Sequence, residues 1–245
     1  MAERCAELIA TAGPACVAVK PQLACFERLG APGWRALERV VSSAHQAGLL
    51  LVADGKRGDV PTTARAYGQA LVGSTDTPWG PVQGLGADAF TANPLLGSDA
   101  LEPLVEAARG AGAGIFTLVR TSNPGAAELQ DADAGGRPVH ERIAGLVADA
   151  APALAGEATH LSGMGAVVGA TAPEHLARLR ELMPDAIFLI PGVGPQGGRP
   201  EDLGPALVPD SPASILVPAA RGIADAGDPA AAAEELRATL WALPG

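Results

Sequence analysis

Seven short apolar runs punctuate this chain, and most residues capable of chemistry stand directly after one of them. The runs are Ala15–Lys20, Leu49–Asp54, Ala87–Ala92, Gly114–Arg120, Gly165–Ala170, Ile187–Ile190 and Ser214–Pro218. Amphipathic stretches rich in Ala, Leu, Glu and Arg lie between them, among them Gly33–Ala47, Ala100–Arg109, Val139–Leu154 and Pro173–Leu182. Strands that are apolar throughout, rather than alternating, belong in a parallel sheet buried on both faces, with the intervening helices as cover. Lys20-Pro21, Asp54 with Lys56, Asn93-Pro94, Thr121-Ser122-Asn123-Pro124, Gly169-Ala170-Thr171, Pro191-Gly192 and Ala220-Arg221-Gly222 all follow their runs directly. Polar residues gathered at the ends of many different strands predict a (β/α)8 barrel of the TIM type, whose sites lie on the C-terminal face. A doubly wound sheet would concentrate them at one crevice instead. Only seven runs are found, and the chain opens with a helical stretch, Ala2–Thr11. The usual N-terminal first strand of such a barrel is therefore expected to be missing.

With 245 residues, the chain is read as one barrel domain spanning 1–245. Hydrophobic residues make up 48% and charged residues 18%, which excludes a disordered chain. The net charge is −10 and no basic stripe occurs, which argues against nucleic-acid binding. An acidic protein that binds an anion must do so locally, with a few donors. Cys5, Cys16 and Cys25 lack metal spacing and read as reduced thiols of a cytoplasmic protein. No apolar run reaches membrane-spanning length, and the start is a poor signal peptide. His45, His140, His160 and His175 are scattered without metal spacing. No role is assigned to them.

The densest chemistry lies in Asp54-Gly55-Lys56-Arg57-Gly58-Asp59, where an apolar strand is expected to run into a loop. Residues two apart on a strand share a face, so Asp54 and Lys56 should point together, while Asp59 can face elsewhere. A surface turn with weak salt bridges would carry the same residues. Lys20, at the end of the preceding run, would complete a Lys–Asp–Lys cluster in which each charge stabilises its neighbour. The Gly-rich loop Pro191–Gly198 can bring backbone amides close to an anion, or serve only as a connector. Arg221 follows the next run, and the loops after the last two strands of such barrels frequently hold phosphate. Thr121-Ser122-Asn123 would suit the edge of a heterocycle, or simply cap a turn.

Taken together, these segments resemble the orotidine 5′-phosphate decarboxylase family, in the branch common in mycobacteria and other actinobacteria. The resemblance rests on Val19-Lys20-Pro21-Gln22 with Phe26-Glu27, Asp54-x-Lys56-Arg57-Gly58-Asp59 with Thr63, and Thr121-Ser122-Asn123-Pro124. It extends to Val167–Thr171, Pro191–Gly198 and Arg221-Gly222, in the family's order. It implies a cofactor-independent decarboxylase of the (β/α)8 fold that dimerises with sites near the interface. Its reactive array would be Lys20, Asp54, Lys56 and Asp59, with Lys56 protonating the C6 carbanion. Asp59 and Thr63 would reach into the partner subunit's site. Ser122 would contact the pyrimidine, and Pro191, Gln196, Arg221 and Gly222 would bind the rest of a nucleoside 5′-monophosphate at its phosphate end.

The chain also departs from that pattern. The family begins with a strand ending in an Asp that contacts the ribose, and no such strand or Asp is found here. Ala is usual where Gly55 stands, Gly where Pro61 stands, and Ser where Ala220 stands. Asn93-Pro94-Leu95-Leu96 replaces a Ser-Pro-Tyr-type turn. Three explanations stay open: a longer natural chain, a strand supplied by a partner, or a paralogue acting on or merely binding another nucleotide or sugar phosphate. Related phosphosugar lyases share D-x-K-x-x-D but need Mg2+ and usually carry Glu where Lys20 stands.

Overall fold

The computed structural model describes residues 1–243 as two compact units. The first comprises Met1–Gly114 with Ile223–Arg237, and the second Ile115–Gly222 with the chain from Ala238 onward.

In the first unit, strands Ala18–Val19, Leu50–Arg57 and Ala89–Ala92 pair in parallel, with Ala18 opposite Leu50 and Ala53 opposite Phe90. The middle strand is sealed where it crosses the core, with Leu51, Val52 and Ala53 buried, as is Phe90 of the third strand. Each such large side chain removed from water contributes about 1.5–3 kcal/mol. Helix Ala31–Gln46 buries Leu37, Val40, Val41 and Ala44, spaced to form one stripe. Helix Ser98–Ala111 does the same with Leu101, Leu104, Val105 and Ala108, and stops at Gly112, whose φ of 66° closes its last turn. Helix Pro61–Leu71 lies close against it, because a Cβ at Gly68 would stand 2.5 Å from that of Ala107.

The second unit carries strands Gly114–Arg120, Ser162–Val168, Ala186–Leu189 and Ile215–Leu216, parallel and in that order. Helices Val139–Ala150 and Leu176–Leu182 follow the first two of these. Ile115, Met164, Phe188, Leu176 and Leu179 are fully buried within it.

Among the described residues the parallel strands thus number seven, each overlapping one of the apolar runs. Boundaries differ at several of them: the fifth strand begins at Ser162 rather than Gly165, and the last covers only Ile215–Leu216. The first strand shrinks to Ala18–Val19 because Gly13–Ala15 winds into a 3-10 turn. The second does not end at Asp54 but continues through Gly55 and Lys56 to Arg57. A small antiparallel hairpin, Ser74–Thr75 with Val82–Gln83, was not expected.

Candidate active site

The end of the second strand gathers the charged residues of the first unit. Asp54 is 5% exposed, and its carboxylate would be costly to bury alone. Lys20 donates to its Oδ2 and Lys56 to its Oδ1. Gln22 Nε2 also donates to Oδ2, at 3.3 Å, and the Thr91 hydroxyl donates to Oδ1 at 3.0 Å. Burial pushes this carboxyl up, but the charges and hydrogen bonds of Lys20 and Lys56 outweigh it and hold it below the usual range. Lys20 is mostly enclosed, with 22% of its side chain exposed, whereas Lys56 has 42% and its ammonium can meet a ligand.

Three of the four residues expected in the reactive array are therefore in contact. Asp59 is not: its Oδ1 accepts the Val60 N–H at 2.7 Å, just ahead of helix Pro61–Leu71, and it forms no ion pair with a described residue. Thr63 lies in the first turn of that helix. Arg57 turns away from the cluster, pairing with Glu27 and lying 5.4 Å over the Tyr67 ring. Gln22 and Glu27 stand in the recognised motifs. Thr91 was missed, since a Thr in an apolar run reads as an ordinary strand former.

The second unit carries an open cleft of about 470 Å³ lined by Arg120, Ser122, Asn123, Pro124, Thr171 and Gln196. The Ser122 hydroxyl donates to Gln196 Oε1 at 3.0 Å, so two expected recognition residues already meet. The Gly-rich loop folds on its own backbone: Gly198 N–H donates to Gly192 O at 2.9 Å, and Gly197 N–H to Gly194 O at 2.8 Å. Gly192 has φ 107°, and a Cβ there would press to 2.9 Å of the Ser122 Cβ. The carbonyl of Pro191 accepts from Ala170 N–H at 2.8 Å. Arg221 opens the short helix Arg221–Ala224, is exposed, and forms no ion pair with a described residue; Gly222 follows it in the open.

Behind the cleft, the structure corrects the reading of the histidines as scattered. Asp131, His140 and His175 bring their ligand-capable atoms within 4.8 Å of one another. Both Asp131 oxygens are already taken by Arg120, through Nε and Nη2 at 2.9 Å each, so this trio is a charge brace rather than an open cation site. Arg120 holds the Asp131 carboxyl down, while burial and the neighbouring His140 push His175 down. The brace extends to the cleft rim: Gln130 Oε1 accepts the Thr121 N–H at 2.7 Å, and Arg120 Nη1 donates to Thr121 O at 2.7 Å.

A parallel α/β sheet with such a cluster at a strand end defines a class of barrel enzyme, and sequence comparison names the family. The family model described as "Orotidine 5'-phosphate decarboxylase / HUMPS family" matches residues 1–236, and the chain belongs to that family. An orotidine 5′-phosphate decarboxylase of Rhodopirellula baltica is 44% identical over 206 residues, covering 83% of this chain and 66% of the relative. One of Deinococcus radiodurans is 44% identical over 197 residues, covering 80% and 67%. Among solved structures, Leishmania donovani UMP synthase is 36% identical with a TM-score of 0.82, over 99% of this chain and 50% of that one. A putative orotidine-monophosphate decarboxylase of Toxoplasma gondii is 31% identical with a TM-score of 0.84, over 98% and 83%. The fold is of the (β/α)8 barrel class. The chain spans about two thirds of these bacterial relatives and half of the Leishmania chain.

Proposed function

We propose that this chain decarboxylates orotidine 5′-phosphate to UMP and CO2, as a carbon–carbon lyase using no metal or organic cofactor. The observation that carries this reading is the Lys20–Asp54–Lys56 cluster in a member of this family. Scission of the bond between C6 and the carboxylate carbon leaves its electron pair on C6. The Lys56 ammonium stabilises that charge and then gives C6 a proton. Asp54 crowds the departing carboxylate, and Lys20 keeps Asp54 ionised and aimed. Lys20 supplies locally the positive charge that a divalent cation would otherwise bring. Ser122 contacts the pyrimidine, and Pro191, Gln196, Arg221 and Gly222 take the phosphate end; the exposed guanidinium of Arg221 suits a phosphate monoester.

The reading carries with it a homodimer in which Asp59 and Thr63 serve the neighbouring subunit. Its support is that Asp59 is tied to neither lysine of its own chain, and that Trp79, Val82 and Leu95 of the same unit are 92%, 58% and 80% exposed. A cytoplasmic setting goes with the three free cysteines. No helix of the described residues is long and apolar enough to cross a membrane.

The test follows the absorbance of orotidine 5′-phosphate with purified protein in EDTA. Turnover that Lys56→Ala abolishes is expected. Nucleotide binding without turnover overturns the reading in favour of a binding paralogue. Activity that appears only with Mg2+ and a sugar phosphate favours a phosphosugar lyase.

A further inference from the structure

The second and third strands of the first unit lose register where the cluster sits. Ala53 stands opposite Phe90 and Arg57 opposite Ala92, so Asp54, Gly55 and Lys56 all face Thr91 alone. Such a bulge bends the strand and re-aims its side chains, and it leaves backbone groups without ladder partners. Lys56 adopts φ 48° within it, a left-handed conformation that a non-glycine residue holds only when its surroundings impose it. The Thr91 hydroxyl meets the backbone of that residue. Its Oγ1 accepts the Lys56 N–H at 2.8 Å in place of the missing ladder bond. With that lone pair engaged, the hydroxyl proton points to Asp54 Oδ1, 3.0 Å away. Thr91 is 1% exposed, so water cannot replace it.

We propose that Thr91 is a positioning residue of the reactive cluster: one hydroxyl pins the Lys56 backbone in its bulge and fixes the Asp54 carboxylate to which the Lys56 ammonium is bonded. The proposal rests on the decarboxylase reading for its kinetic consequence and on geometry alone for its structural one. Two charged groups face Asp54, Lys20 from the end of the preceding strand and Lys56 from the bulge itself. The adjacent Arg57 is neutralised by Glu27. Of the donors to Asp54, Thr91 alone also holds the Lys56 backbone, so its loss weakens the ionised carboxylate and frees the bulge together.

Thr91→Val keeps the shape and removes the hydroxyl, and Thr91→Ser restores it. Val is expected to lower kcat by about ten- to a hundredfold, the usual worth of a hydrogen bond to a charged group, with KM little changed. The acid limb of its rate profile moves to higher pH, because the Asp54 carboxylate has lost a donor to its charged form. Ser recovers both. In the wild-type protein, hydrogen exchange at the Lys56 amide is expected to be slow, and in Thr91→Val fast. A Thr91→Val protein with wild-type kcat and an unmoved acid limb overturns the proposal. So does an unprotected Lys56 amide in the wild type, a result that stands even if the Val variant fails to fold. Wild-type protein without turnover counts against the decarboxylase reading instead. The exchange data, with the Asp54 titration followed by carbon NMR in wild type and Thr91→Val, then decide the role of Thr91 separately.

Discussion

Asp54 shows how a single residue can be both the most expensive and the most useful in a site. Its burial is tolerable only because Lys20, Lys56, Gln22 and Thr91 surround it with donors. Asp54→Asn leaves two ammonium groups facing each other across a neutral amide. It is expected to cost roughly 1–3 kcal/mol in denaturant unfolding, and to remove turnover. The pH dependence has a fixed sign. The folded pKa lies below the ordinary value, so the stabilisation is fully present above about pH 4 and fades as pH falls through the lowered pKa. The wild-type and Asn unfolding curves should therefore converge in acid. The D-x-K spacing was legible, because two residues apart on a strand share a face. That a bulge, not a flat strand, achieves it was not legible, since nothing in Asp54-Gly55-Lys56 says which residue stands opposite.

At the scale of elements, the seven parallel strands of the described residues could be placed from the sequence because their runs are apolar on both faces. The hairpin at Ser74–Gln83 could not, because its two short strands are exposed and show no hydrophobic period. The alanine-rich stretch Pro229–Glu235 begins helix Pro229–Trp241. Its start is set by Asp228, whose Oδ1 accepts the N–H groups of Ala230 and Ala231 at 3.0 and 3.1 Å. The brace behind the cleft was invisible for another reason: Arg120, His140 and His175 come from three separate elements and Asp131 from a loop, and only folding brings them together. His175 packs there with its pKa lowered by burial and by His140. Its contribution is present above the unfolded value of about 6.5 and is lost as pH falls through the lowered folded value. Wild-type stability should accordingly decline below about pH 6.5 more steeply than that of His175→Gln, as thermal melts at successive pH values would record.

For the whole molecule, the proposed sharing of sites makes a prediction that no single chain can satisfy. Lys56→Ala and Asp59→Ala, each inactive alone, should regain part of the wild-type activity when unfolded and refolded together. One site of a mixed dimer then holds both intact residues. Mixed protein as inactive as its components would refute the sharing. The backbone of Lys56 has a consequence of another kind. The proposed reaction needs an amine at a position whose φ of 48° suits glycine better than any other residue, so that reaction and the backbone ask for different side chains there. Replacing Lys56 by glycine or by alanine removes the amine equally, and the two variants differ only in what the backbone tolerates. The glycine variant should unfold later than the alanine one, by about 1 kcal/mol, reversing the order usual within strands. At position 56 the ion pair to Asp54 and the preference of the backbone then pull in opposite directions, and lysine stands where the first outweighs the second.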